Sequence, residues 1–262
     1  MSGRPKGSRG GAGVGSASPD HGRGDGASRS RPAGVANVAQ AHEITAGTAR
    51  AGRAGSAGGT AIRDAGSYGE FRLDFPRGSD FVGAGYSQRA AEAYRRIRNS
   101  PEDTPLVAAN TGIDPRIVEG MRQNLFVQQH NIALGPNRVE RGYFTPDDDI
   151  AHQWEGAVRG TLDPDQVGEF RNLAAHEYVE NRLMEAGLPY RSSHPASYDA
   201  DGDHMPHPDH PGAHELAPHE WRPESPLEHW RMFGIDSSGL EMAPDLSNLD
   251  EIVDAALRGL GR

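Results

Sequence analysis

Residues 163–186 read Asp163-Pro-Asp-Gln-Val-Gly-Glu-Phe-Arg-Asn-Leu-Ala-Ala-His-Glu-Tyr-Val-Glu-Asn-Arg-Leu-Met-Glu-Ala186, and Gly187-Leu-Pro189 follows. Aspartate at a cap, proline at the first helical position and an acid in the first turn are start signals for a helix. Gly187 and Pro189 are stop signals. One long helix to about Ala186 is therefore expected. On a helical wheel with Val167 at zero, Phe170, Leu173, Ala174, Tyr178 and Met184 spread over an arc from roughly 240° to about 20°. Glu177 falls at about 280°, inside that arc, while Glu180 near 220° and His176 near 180° lie at its margin. A carboxylate aimed at a core is unfavourable unless it is paired, protonated or bound to a metal.

The preceding stretch repeats the start signal. Thr145-Pro146-Asp147-Asp148-Asp149 supplies a cap, a proline at the first position and first-turn acids for a helix running past Ile150 and Trp154 to Gly160. Asp147 and Asp149 are read as capping residues rather than a second carboxylate pair. Further upstream, Ser87 caps a helix with Ala90, Ala93, Tyr94 and Ile97 on one face, ended by Pro101. Leu106–Thr111 reads as a short helix stopped at Gly112. Asp114 then caps a second helix carrying Ile117, Val118, Met121, Leu125 and Phe126. The pair has helix-turn-helix spacing. Its second helix starts with Asp114, Arg116, Glu119 and Gln123, mixed in sign, so packing inside an all-α domain is favoured over DNA recognition. A last amphipathic helix runs from Asn248 through Ile252, Val253, Ala256, Leu257 and Leu260.

Composition frames these elements. The chain has 262 residues, a net charge of −10 and no cysteine, which removes disulfides, thiolate metal sites and a Cys nucleophile. No run of about 18 apolar residues suggests a membrane span, and no apolar stretch follows the basic N-terminus as a signal peptide would require. Residues 1–60 hold 15 of the 34 glycines and no aromatic residue, so a disordered Gly/Ala/Arg-rich linker is expected over 1–66. Residues 1–63 carry nine bases against three acids, a net +6, which leaves −16 for residues 64–262. A surface that acidic repels a phosphate backbone, which argues against broad non-specific DNA binding and leaves room only for a locally positive cleft. The expected organisation is an α-helical domain over 67–190, a His/Pro-rich irregular segment over 191–232, and a C-terminal helix over 233–262 that packs back on the domain. The fold class is mainly α.

Three answers compete for Glu177. It pairs with a buried arginine such as Arg98, Arg122 or Arg141; or it serves acid–base catalysis beside His176; or the helix carries a metal site. His176 and Glu180, at i and i+4, project from one side, and His176-Glu177-Tyr-Val-Glu180 differs from the zinc-peptidase HExxH pattern in its last residue. His130 and His152 are further candidates. His130 is favoured because Arg138 and Arg141 follow it and could hold an anionic substrate near the glutamates. Residues 191–230 contain His194, His204, His207, His210, His214, His219 and His229 among aspartates and prolines. Such a tract takes up Zn²⁺ or Ni²⁺, yet its prolines argue for a solvated, adaptable segment.

The series Tyr94-Arg-Arg-Ile-Arg98, Val107-Ala-Ala-Asn-Thr-Gly112, Val118, Asn124-Leu-Phe126, His130, Phe144-Thr-Pro-Asp147, Ile150-Ala, Trp154, Gly160 and His176-Glu177…Glu180 is similar to a small α-helical domain. That domain occurs at the C-terminal ends of bacterial polymorphic toxins and phage minor head proteins, and the resemblance covers about residues 87–187. It implies a toxin module made in the bacterial cytoplasm, exported or delivered into a target cell, with a cognate immunity protein. The leading expectation is a hydrolase, a nuclease acting on RNA. Glu177 would be its general base, His176 its acid, Glu180 an orienter or metal ligand, and His130 with Arg141 the substrate contacts. The second expectation is a peptidase with a divalent metal, Zn or Mg, held by His176 and Glu180. The third is non-enzymatic: a helix-turn-helix DNA binder or a phage structural module.

Overall fold

The computed structural model describes residues 80–262. The expected disordered segment 1–66 lies outside them. The described residues are mainly α with one two-stranded sheet. Helices α1 (Gln88–Arg98), α2 (Asp103–Thr111) and α3 (Pro115–Arg122) come first, and α3 runs on into a wide π-helical turn, Gln123–Val127. A hairpin of β1 (His130–Gly135) and β2 (Arg138–Gly142) follows, then α4 (Asp148–Arg159) and α5 (Pro164–Glu185). The remainder holds a 3₁₀ turn at Pro195–Ser197, the single-turn α6 (Ala213–Leu216), a 3₁₀ stretch at Glu228–Phe233, and α7 (Leu249–Gly259).

The caps follow the side-chain chemistry. Ser87 accepts the Ala90 N–H and starts α1. At α5, Asp163 accepts from the Gln166 backbone while the Gln166 side chain accepts the Asp163 N–H, a reciprocal box behind Pro164. At α4 the structure corrects the expected start. The cap is Asp147, not Thr145, and Pro146 precedes the helix. One Asp147 oxygen satisfies the N–H groups of both Asp149 and Ile150, which a threonine two residues earlier cannot reach. Helix α2 likewise starts at Asp103 rather than Leu106, and the Asp103 side chain accepts the Trp154 indole N–H (3.1 Å).

Gly112 adopts φ 73° and donates to the Ala108 carbonyl, turning the chain between α2 and α3. The start of α3 is covered. Asp114 donates its N–H to Asp245 O (2.8 Å), and Arg116 contacts Asp250 and Ser247 of the C-terminal region. The helix-turn-helix pair thus spends its exposed end on α7 and the loop before it.

The core is aromatic at its centre. Tyr94, Phe126, Trp154 and Phe170 are all buried and meet in sequence at ring-centroid distances of 4.6, 5.3 and 6.3 Å. Beside it, Arg122 is buried and bridges elements: its guanidinium donates to the carbonyls of Ile97 and Arg98 and to Glu119. Burial works to raise the Glu119 pKa, but hydrogen bonds from Arg122, Thr104 and Gln123 outweigh it and hold the value down at about 2. A depressed carboxylate pKa adds stability that is complete above the unfolded value of about 4.5 and disappears as pH falls toward the folded one. Urea unfolding at about pH 5 and about pH 2.5 should therefore show a smaller acid-induced loss in Glu119→Gln than in the wild type. Equal losses would remove Glu119 as a source of acid sensitivity.

Candidate metal centre

Helix α5 is enclosed over most of its length. The π turn and α3 pack on it, as do α4, α6 and α7, so Leu173 through Asn181 are all buried, together with Leu183. Its polar residues are enclosed with the apolar ones. Glu177 has no exposed surface and Glu180 has 1%. None of the three expected arginines pairs with Glu177 in a salt bridge. Arg122 serves Glu119, Arg98 donates to Phe126 O and lies 3.3 Å from the Tyr143 ring centroid, and Arg141 is exposed on β2.

The partner is Asn124, in the π turn. Its side-chain amide donates to Glu177 Oε2 and to Glu180 Oε1, both at 2.8 Å. Its backbone carbonyl accepts from His130 Nε2 at 2.9 Å. His130 is therefore joined to the glutamates through Asn124 rather than by direct contact. With Arg141 it lines a separate cavity of about 620 Å³. The expected group of His130, Arg141 and the two glutamates is thus divided between that cavity and the interior. His152 is exposed on α4.

The other side of α5 is closed by the segment expected to be solvated. Here the structure differs from the expectation, for a local reason. Pro189 and Tyr190 offer their carbonyls to the N–H groups of Ala213 and His214 (2.8 and 3.1 Å), which docks α6 against the chain leaving α5. Gly212 permits the approach, since a Cβ there would meet the Tyr190 carbonyl and the Arg191 backbone. Trp230 then donates its indole N–H to Leu216 O (2.8 Å) and closes the far side.

This docking brings His214 to α5. His214 Nδ1 lies 2.9 Å from Glu180 Oε2 and 3.1 Å from His176 Nε2, and the last two atoms are 3.4 Å apart. His176, Glu180 and His214 form a group that could hold a metal ion, and His176, Glu177 and Glu220 form a second. On its other edge, His176 Nδ1 donates to Pro218 O (2.9 Å), with Glu220 at 3.7 Å. His214 Nε2 accepts from Arg191 at 2.8 Å.

The two imidazoles are electrostatically unlike. Burial disfavours charge on His176, but Glu220 and Glu180 outweigh it and raise its pKa to about 10. Burial and the Arg191 charge push His214 well below the ordinary histidine value, so it is neutral. The Glu180–His176 contact is accordingly the ion pair, and the Glu180–His214 contact is a hydrogen bond from a neutral ring. Burial would raise Glu180, but the hydrogen bonds from His176 and His214 hold it down. Burial and the charge on Glu180 push Glu177 up.

A cavity of about 540 Å³ opens on this cluster, lined by His176, Arg191, Asp203, His204, His214 and Glu215 among others. His219, Trp221, His229 and Met232 complete much of its wall, and neither Glu177 nor Glu180 is part of it. Burial, moderated by Arg191, lifts Glu215 to about 7. The sequence contained one signal for His214 that went unused. It is followed by a glutamate, as His176 is, and the pair is flanked by Ala213 and Leu216 where His204, His207 and His210 sit among Pro and Asp. No protein-family model, curated protein or solved structure matches the chain.

Proposed function

We propose that this chain is a metal-dependent hydrolase of amide bonds whose ion is held by His176 Nε2, Glu180 Oε2 and His214 Nδ1. The observation that carries the reading is the convergence of these three atoms at 2.9, 3.1 and 3.4 Å from one another. Ligands at about 2.0–2.1 Å in a regular tetrahedron around zinc stand about 3.3 Å apart. Two imidazoles and one carboxylate are also the donor set of catalytic zinc sites that leave a fourth position open. Magnesium favours all-oxygen ligation, so the nitrogen donors favour zinc. The surroundings fit a metal-ligating histidine, because His176 directs its second nitrogen to a carbonyl with a carboxylate beside it. Asn124 fixes the Glu180 oxygen that points away from the cluster. To hold the ion, His176 Nε2 would release its proton to solvent and the His214 ring proton would sit on Nε2 instead of Nδ1, so that the Arg191 contact there would lengthen.

Zinc held by these three residues would supply a Lewis acid to a carbonyl oxygen. In the reaction, water adds to the carbonyl carbon, the C–N bond breaks, and a proton passes to the leaving amine. The cavity wall carries the acids Asp203 and Glu215 beside Arg191, a mixed set that suits a peptide better than a polyanion. The metal-free RNA nuclease reading draws less support, because Glu177 stands off the cavity wall and both nitrogens of His176 are engaged. The likeness to toxin tips supplies a proposed setting: delivery into a target cell, with an immunity protein covering this cavity.

The test is an assay of the full chain, loaded with zinc, against a peptide mixture and an end-labelled RNA. Peptide cleavage is expected, lost on chelation, restored by zinc and reduced by at least about hundredfold in Glu180→Gln. RNA cleavage that persists under chelation would overturn the proposal.

A further inference from the structure

Two buried polar atoms on the cavity wall are without a hydrogen-bond partner: Glu215 Oε1 and His204 Nε2. Both side chains are only 5% exposed, and Glu215 Oε1 lies 3.6 Å from the other ring nitrogen of His204. The second Glu215 oxygen accepts the Gly212 N–H at 2.7 Å, which fixes the carboxylate with Oε1 toward the cavity. Arg191 Nε approaches that oxygen only to 3.9 Å. A buried acceptor left in this state is unfavourable, and a ligand is one of the standard reasons for finding one.

A second metal ion does not suit the place. Among the described residues the groups able to hold an ion do not include Glu215 or His204. An organic donor suits it better. A primary ammonium brings several N–H groups and a positive charge to a wall that carries Asp203 and Glu215. Trp221 (44% exposed) and Met232 (42% exposed) give the same cavity an apolar portion facing solvent. The volume of about 540 Å³ is that of a small-ligand pocket rather than a long groove.

We propose that this pocket takes the free amino terminus of a peptide, its ammonium on Glu215 Oε1 and His204 Nε2 and its first side chain against Trp221 and Met232. The inference rests on the amide-hydrolase reading and makes the chain an aminopeptidase-type enzyme. Burial and Arg191 keep His204 neutral, at about 4, so its ring can accept as well as donate.

The test is calorimetric titration of the zinc-loaded full chain with L-leucine hydroxamate, N-acetyl-L-leucine hydroxamate and acetohydroxamate. A charged hydrogen bond predicts that the free amine binds at least about tenfold tighter than its acetylated counterpart. Glu215→Gln is expected to bring that ratio to within about twofold and leave acetohydroxamate unchanged. The wild-type comparison stands by itself if the variant fails to fold. Equal or tighter binding of the acetylated compound overturns the inference while leaving the metal reading intact. Failure of all three to bind a chain that holds zinc, or failure to hold zinc, overturns both.

Discussion

His214→Ala is expected to weaken zinc binding by at least about hundredfold while leaving the helical core folded. Loss of an outer-shell partner alone weakens metal sites by about 10- to 100-fold, and His214 is one of three direct donors here. The neighbouring backbone does not need the imidazole: α6 is anchored through the N–H groups of residues 213 and 214, and Leu216 is held by Trp230. A fluorescent-chelator competition at about pH 7.5 reads the affinity, and far-ultraviolet circular dichroism reads the fold. The same substitution at His210, whose ring stacks on His194 near the surface (3.6 Å between centroids), should leave zinc affinity within about twofold. If His210→Ala costs as much as His214→Ala, zinc is being held by the histidine-rich tract as a whole and not by the α5 cluster.

The second large effect is expected at Asn124. Its amide donates to both buried glutamates, and Asn124, Glu177 and Glu180 are each no more than 1% exposed. Truncation to alanine removes two hydrogen bonds from the interior, the one to the charged Glu180 worth about 1.5–3 kcal/mol and the one to Glu177 about 0.5–1.5 kcal/mol. A destabilisation of about 3 kcal/mol follows, or a fall in Tm of roughly 6–12 °C for a domain of this size. Asn124→Asp should be worse, since it places a third carboxylate against two others. Thermal unfolding of the metal-free chain measures both. A loss below about 1 kcal/mol in Asn124→Ala would show that the glutamates are not held by this amide.

Much of the fold could be read directly from local chemistry. Ser87, Asp114-Pro115 and Asp163-Pro164 each combine a short polar side chain with a residue already set for the first turn, and each starts a helix as expected. The hairpin over His130–Gly142 was not read. Its alternation is interrupted by a bulge between Ala133 and Gly135, and its second strand exposes four of five residues, so no apolar period marks it. At α4, Thr145 and Asp147, two residues apart, are both cap candidates, and the carboxylate takes the cap by serving two donors.

The inward position of Glu177 was legible, but the wheel was less selective than it looked. An arc identifies the buried face of a helix that has a solvent face, whereas α5 has none between Leu173 and Asn181. His176 and Glu180, placed at the margin of the arc, are buried because residues 189–220 return over them. That return depends on Gly212 and on carbonyls at 189 and 190, and it joins residues 34 apart in the chain. Local periodicity carries no information about such a closure. For the same reason Asn124, 53 residues from Glu177, could not be matched with it.

X-ray absorption at the zinc edge of the full chain, loaded with one equivalent of zinc, tests the central claim most directly. A first shell of nitrogen and oxygen at about 2.0–2.1 Å is predicted, with outer-shell scattering from two imidazoles that falls to one in His214→Ala. An all-oxygen shell, or a histidine count unchanged in that variant, would contradict it.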